Sequence, residues 1–227
     1  MSLAALPDAV LFDLDGTLAD TAPDLAFALN RTLEHFRLAP LPYERIRPVV
    51  SHGGVALIRL GFGIEPEAAG FEERRQFLLD VYAQNLCRET GLFAGMSEVL
   101  SGLESLEVPW GIVTNKPAWL TDPLMSAMRL DTRAACVVSG DTCARRKPHP
   151  EPILYACELL GRDPRRSWYV GDAGRDMLAG RAAGCTTVGA LYGYLHPKDP
   201  PDAWQADLTI RDPLHLLDLL QDDAGHV

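Results

Sequence analysis

The chain has 227 residues, 47% hydrophobic and 23% charged, a composition that excludes a disordered or fibrous protein and suffices for a large core without disulfides or a structural metal. At about 150 residues per domain that is one to two domains. The net charge of −10 excludes the counterion-release chemistry that drives nucleic-acid binding, while leaving room for a small phosphorylated metabolite if a metal or a local cation manages the charge. Five cysteines are an odd number, and no two stand in a C-x-x-C spacing, against both a disulfide framework and a structural zinc site. The longest apolar runs fall far short of the ~20 residues of a membrane span. No basic segment precedes an apolar one at the start, and Met1-Ser2-Leu3 is compatible with a cloning remnant. These features predict a reduced, cytoplasmic protein, monomer or homodimer, with no membrane partner.

In chain order, residues 9–14 (AVLFDL) form a near-continuous apolar run, as in a strand buried on both faces. Thr21-Ala22-Pro23-Asp24 marks a helix start, with proline where a missing N–H costs nothing. Leu25, Leu29, Leu33 and Phe36 then share one helical face. Residues 43–90 hold no strand pattern, and Phe71, Leu78, Val81, Tyr82 and Leu86 predict a further long helix. After Gly91 the pattern alternates. Helices are predicted around Val99–Leu106, 117–128, Ile153–Leu160 and 176–183, with strands at 109–113, 136–138, 168–170 and 186–190, and 206–210 and 214–220 close the chain. The expected fold is α/β: a Rossmann-like parallel sheet with helices on both faces and an inserted all-helical cap. The catalytic core is assigned to residues 1–17 plus 92–227 and the cap to 18–91.

Ligands of such sheets bind beyond the carboxyl ends of the strands. There the sequence offers Asp13 and Asp15 after the first run, Thr114-Asn115 after the second, Asp172 with Asp176 after the run at 168–170, and Lys147 before the helix near 150. Asp13 and Asp15 are two apart, so on extended chain they point the same way. Carboxylates ~4 Å apart repel by roughly 4 kcal/mol at an effective dielectric near 20. Four acids together therefore require a cation, and a small set of hard oxygen ligands suits Mg²⁺, which also takes substrate phosphate as ligand. Lys147 adds a second positive charge, and the Thr114 side chain with the Asn115 backbone N–H is placed to hold phosphoryl oxygens. Asp13, ending a rigid strand, is the candidate nucleophile, forming an aspartyl-phosphate. Asp15 is the candidate general acid and then base, with Gly16 allowing the turn that brings it round.

The segments FDLDGTLADT (12–21), VTNKP (113–117), KPHPEP (147–152) and VGDAGRD (170–176) resemble, in order and spacing, the four motifs of the haloacid-dehalogenase superfamily of phosphatases. The resemblance spans nearly the whole chain. It implies the same covalent mechanism, a Rossmann-like core and a closing helical cap. It also implies the metal ligands: the Asp13 and Asp172 side chains and the Asp15 backbone carbonyl, with Asp176 in support. Within the superfamily, DGTLADTAPDL (15–25) and GDAGRDMLAGRAAG (171–184) are similar to the phosphoglycolate phosphatase group, which implies a small acidic ester such as 2-phosphoglycolate. VVSHGGVAL (49–57) and LYGYLHPKDPPDAWQADL (191–208) are similar to a sister group, the N-acetylmuramic acid 6-phosphate phosphatases of cell-wall recycling. A sugar phosphomutase would use the same aspartyl-phosphate and return the phosphate to a sugar. A non-catalytic binding module on this fold is opposed by the intact set of Asp13, Asp15, Lys147 and Asp172.

Each residue has a plainer reading beside the functional one. Asp13 with Asp15 would otherwise be turn acids, Asp172 a turn residue, and Asp176 a helix-start charge. Thr114 would otherwise only end a strand. Lys147 follows two arginines, a run that elsewhere is a solvated face, but the Pro-x-Pro after it favours it as the site lysine. His52 and Gly53 are candidate substrate contacts from the cap, or simply a helix terminus. His35, His149, His196, His215 and His226 lack ligand spacing and read as structural or surface. Arg59, Arg74 and Arg75 read as solvated helix residues. The cap implies motion, with hinges near residues 17–21 and 88–95, where Gly91 and Gly95 flank the return to the core.

Overall fold

The structure, a computed structural model, describes residues 6–224, with side chains described up to residue 220. Met1-Ser2-Leu3 and His226 lie outside the described residues. Six parallel strands form one sheet: β1 (Val10–Phe12), β4 (Trp110–Val113), β5 (Cys136–Val138), β6 (Trp168–Gly171), β7 (Thr186–Ala190) and β8 (Leu208–Ile210), ordered β5-β4-β1-β6-β7-β8. β1 is central. It pairs with β4 through Val10↔Trp110 and with β6 through Val10↔Trp168. The order reverses at β1, so the crevice at a topological switch point opens beyond Phe12, Val113 and Gly171.

Strand alternation builds two cores. Val10, Phe12, Trp110, Ile112, Trp168 and Val170 pack with Val99 and Leu103 of α5 (Met96–Ser105), Leu124 of α6 (Ala118–Ala127) and Leu216 of α9 (His215–Ala224). Leu11, Val138 and Tyr169 face the other way, onto Ile153 and Cys157 of α7 (Glu151–Leu160) and Ala179 of α8 (Gly174–Ala183). Both faces being covered explains the unbroken apolar character of the strands. Cys87, Cys136, Cys143, Cys157 and Cys185 are all free thiols. Among the described residues no helix is long and apolar enough to cross a membrane.

The helical cap is inserted after β1. α1 (Ala22–His35), α2 (Tyr43–Ile46), a 3₁₀ helix (Arg47–His52), α3 (Gly53–Phe62) and α4 (Phe71–Ala83) share a third core, in which Leu25, Leu29 and Leu33 meet Leu57, Ile58, Leu78 and Tyr82. Leu120 and Tyr194 of the sheet domain complete it, so cap and core share packed surface. Arg59 is exposed, but Arg74 is not the solvated residue the helical pattern suggested: it lies 4.7 Å from the Phe36 ring centroid and donates to the Gly70 carbonyl. Its aliphatic stem and flat guanidinium cover aromatic surface at the cap's edge.

The chain enters and leaves the cap through β2 (Ala19–Asp20) and β3 (Gly91–Leu92), an antiparallel two-stranded ribbon that periodicity did not foretell. Two residues per strand are too few for an alternating pattern to register.

Candidate active site

Asp13 ends β1. Its N–H donates to the Val170 carbonyl at 2.9 Å, and the residue is 3% exposed. Its Oδ1 accepts from Leu14 N–H at 2.7 Å and lies 2.9 Å from Lys147 Nζ, while Oδ2 lies 3.5 Å from the Arg175 guanidinium. Burial pushes this carboxyl up, but the charges of Lys147 and Arg175 pull it further down, so Asp13 sits below the usual carboxylate range, ionised and ready to attack.

Lys147 is fully embedded. Nζ touches the Val113 carbonyl at 2.8 Å, the Tyr169 hydroxyl at 2.7 Å and Asp176 Oδ1 at 2.8 Å, besides Asp13. Tyr169 OH itself donates to the Val113 carbonyl at 2.9 Å, leaving its lone pairs to the lysine. The ammonium is thus aimed at the end of β1 by strands on either side. Asn115 fixes the loop that carries it, donating from Nδ2 to the Lys147 carbonyl at 2.9 Å. Thr114 is buried, and its Oγ1 accepts from Lys116 N–H at 3.1 Å, which tightens the loop after β4.

Asp172 follows β6. Its Oδ2 accepts from Tyr194 N–H at 2.8 Å and Ser51 Oγ at 3.1 Å, and its buried Oδ1 has no hydrogen-bond partner. Asp176 lies in the first turn of α8 and is completely buried. Carboxylate oxygens of Asp13, Asp172 and Asp176 lie within 4.8 Å of one another. Burial and the charges of Asp13 and Asp176 push Asp172 up to about 7, and burial also raises Asp176. An orphaned carboxylate oxygen in a buried triad of hard donors fits a divalent metal. Gly16 makes room for this arrangement. Its φ is +85°, and a Cβ there would collide with the Asp172 carboxylate.

Asp15 does not continue the extended backbone on which it was expected to parallel Asp13, although both carboxylates line the same cavity. The strand stops at Phe12 and the backbone turns through Gly16, so the two carboxylates are held by different partners. Asp15 Oδ1 accepts from Thr21 Oγ1 at 2.6 Å and from Lys116 Nζ at 2.9 Å. Lys116 also reaches Tyr82 OH at 3.1 Å. Burial alone would lower its pKa, but Asp15 and Tyr82 raise it well above the usual lysine value.

A cavity of about 570 Å³ lies between cap and core. Asp13, Asp15, Thr114, Asn115, Lys116, Lys147 and Arg175 line it from the core, and Ser51, His52, Gly53, Arg75 and Tyr82 from the cap. Arg75 is therefore a wall residue as well as the partner of Glu72, a role its helical pattern did not reveal. His52 stacks edge-to-face on His196 at 4.9 Å, and burial, with Arg175 nearby, lowers its pKa. Asp172 and Asp176 stand beside Asp13 without lining the cavity.

Lys116, Arg175, Ser51 and Tyr194 are among the site residues that escaped the sequence reading. Lys116 directly follows Thr114-Asn115, Arg175 sits between two acids, Ser51 precedes His52, and Tyr194 lies in LYGYL. Adjacency to a motif was the signal available for the first three. Tyr194 gave none, because its role depends on a loop that folds back onto Asp172.

A buried nucleophile-grade carboxylate, a lysine behind it, a hydroxyl-and-amide loop and an acidic triad at one switch point define a phosphoryl-transfer enzyme of the hydrolase kind. Residues 10–190 match the family model of haloacid dehalogenase-like hydrolases, and the chain belongs to that family. It is similar to an N-acetylmuramic acid 6-phosphate phosphatase of Pseudomonas putida, at 41% identity over 92% of this chain and 93% of the relative. A phosphoglycolate phosphatase of Xanthomonas campestris pv. campestris is also 41% identical, over 92% of this chain and 95% of its own. Among solved structures, a predicted phosphoglycolate phosphatase of Haemophilus somnus superposes with a TM-score of 0.83 at 28% identity, over 93% of this chain and 97% of that one. The chain is a phosphatase of this family.

Proposed function

We propose that this chain hydrolyses an acidic phosphomonoester through a covalent intermediate on Asp13. The Asp13 carboxylate attacks phosphorus, the P–O bond to the leaving group breaks, and Asp15 gives its proton to the departing alkoxide. Both contacts to Asp15 fall on Oδ1, so Oδ2 is the oxygen free to carry that proton. In the second half Asp15 takes a proton from water as the water attacks the aspartyl-phosphate, and the bond from phosphorus to Asp13 breaks. Lys147 and the Thr114-Asn115 loop hold the equatorial oxygens. Mg²⁺, held by the Asp13 and Asp172 side chains and the Asp15 carbonyl with Asp176 in support, would neutralise phosphoryl charge when bound. The catalytic core would comprise residues 1–17 plus 92–227 and the cap 18–91, in a cytoplasmic monomer or homodimer.

The observation that carries this reading is Asp13, buried yet held ionised by Lys147 and Arg175 at the end of β1. Cationic Lys116, Arg75, Arg146 and Arg175 on the cavity wall favour a substrate with a second negative group, as in 2-phosphoglycolate. One observation favours a larger ester. A two-carbon leaving group fills a small part of about 570 Å³, whereas a hexose 6-phosphate bearing a carboxylate, such as N-acetylmuramic acid 6-phosphate, fills much more. The test is phosphate release with Mg²⁺ on 2-phosphoglycolate, N-acetylmuramic acid 6-phosphate and p-nitrophenyl phosphate in parallel. A 100-fold preference in kcat/KM, about 2.7 kcal/mol in transition-state binding, names the substrate. Isomer exchange without release of phosphate would overturn the hydrolase reading in favour of a mutase.

A further inference from the structure

We infer that Trp119 is the platform on which the ring of the leaving group stacks, which makes it a specificity-determining residue for a cyclic sugar ester. The inference rests on the sugar-acid reading above. Trp110, Trp168 and Trp204 are buried to 1%, 3% and 2% exposure, as expected of the side chain with the most apolar surface to hide. Trp119 is the exception at 48%, and it lines the cavity that holds Asp13 and Lys147. An indole left half open to water inside a substrate cavity is apolar surface awaiting a partner.

Its placement is rigid. Trp119 is the second residue of α6, immediately after the Thr114-Asn115 loop. Ala118 N–H donates to Asp141 Oδ1 at 2.8 Å, and Leu120 and Thr121 N–H both donate to the Pro117 carbonyl at 3.0 Å. Leu120 is buried in the shared cap–core cluster. The backbone that carries the indole is therefore held at a fixed offset from the phosphoryl site. A ring-less two-carbon ester has no face to lay on it. A pyranose has one: its axial C–H groups form an apolar face, while its rim is polar. Cationic Arg75 from the cap and Arg146 from the core line the same cavity and suit a carboxylate carried on that rim.

The experiment compares the parent with Trp119→Ala and Trp119→Phe on N-acetylmuramic acid 6-phosphate and on 2-phosphoglycolate. Trp119→Ala is expected to lower kcat/KM for the sugar ester about tenfold or more and to leave 2-phosphoglycolate within about twofold, with Trp119→Phe keeping most of the activity. A second readout needs no turnover. In an Asp13→Asn background the sugar ester should shield tryptophan fluorescence from acrylamide, because the other three indoles are already buried, and the added Trp119→Phe change should abolish that shielding. Equal losses on both esters, no loss on either, or unchanged quenching would overturn the platform. A parent that releases no phosphate from the sugar ester would instead overturn the substrate reading, and the platform with it.

Discussion

Lys116 Nζ lies 2.9 Å from Asp15 Oδ1 and 3.1 Å from the hydroxyl of Tyr82, so one buried ammonium joins the proposed acid–base residue to a cap helix. The pair is 6% and 15% exposed at its side chains, so solvent screens it only weakly. Lys116→Met should leave Asp15 Oδ1 with the Thr21 hydroxyl alone and no cation, and lower kcat about 10²-fold, within the range ascribed to acid–base catalysis. Tyr82→Phe removes one weaker contact and should cost less than about fivefold. Steady-state kinetics on any turned-over ester check both. Equal kcat values for Lys116→Met and the parent would remove the lysine from the mechanism.

Asp13→Asn keeps the shape of the site and one carbonyl oxygen for Leu14 N–H and Lys147. It lacks the nucleophile. Turnover should fall by about 10⁴-fold or more, and rapid acid quench of the parent, but not of the variant, should trap an aspartyl-phosphate. Trapped phosphate on the variant would place the nucleophile elsewhere.

The strand ends and the motif acids were legible because their cause is local. A buried parallel strand must be apolar, and the residues just past it must face the crevice, so Asp13, Thr114 and Asp172 could be placed from order alone. The Asp13–Asp15 geometry was not legible, since the turn at Gly16 ends the extended backbone on which the shared direction depended. Arg75 misled for a related reason: helical periodicity says which side of a helix faces its core, but not that another domain stands over the opposite side. Arg74 misled because its partners, Phe36 and Phe62, lie on other segments of the cap, out of reach of a single-helix pattern. Tyr194 and Lys116 are long-range facts, the first joining residues 172 positions apart through the bond from Ala22 N–H to its hydroxyl.

The metal-free protein should show the strain of its acidic triad. Burial beside the charges of Asp13 and Asp176 pushes Asp172 up to about 7, against 3.8 as its ordinary value. Its folded pKa is raised, so the fold loses stability as pH rises from about 4 through 7, and the loss levels off once Asp172 is ionised in the fold as well. Asp172→Asn has no such charge. In EDTA, the stability of Asp172→Asn relative to the parent should therefore rise by about 1 kcal/mol between pH 6 and pH 8. Denaturant melts at the two values measure it, and a flat difference would mean that Asp172 ionises without penalty. Adding Mg²⁺ at pH 8 should raise the parent's Tm and leave the variant's nearly unmoved, because only the parent offers the second carboxylate.

Asp24 ties the return linker to the start of α1. Its Oδ2 accepts from Arg88 N–H at 2.9 Å, Thr90 N–H at 3.0 Å and Thr90 Oγ1 at 2.8 Å, and Glu89 N–H reaches both oxygens at 3.1 and 3.2 Å. The residue is 1% exposed, so its loss strands three backbone donors in the return linker. Asp24→Ala should cost about 3 kcal/mol and lower Tm by roughly 6–12 °C. Asp24→Asn can keep its oxygen at the Oδ2 position and turn its amide away from all but Glu89 N–H, so it should cost about half as much. Because the linker follows the cap directly, Asp24→Ala should also raise KM through looser cap closure while changing kcat less. Thermal melts and kinetics together decide it: a lower Tm with unchanged KM would leave Asp24 a purely structural clamp.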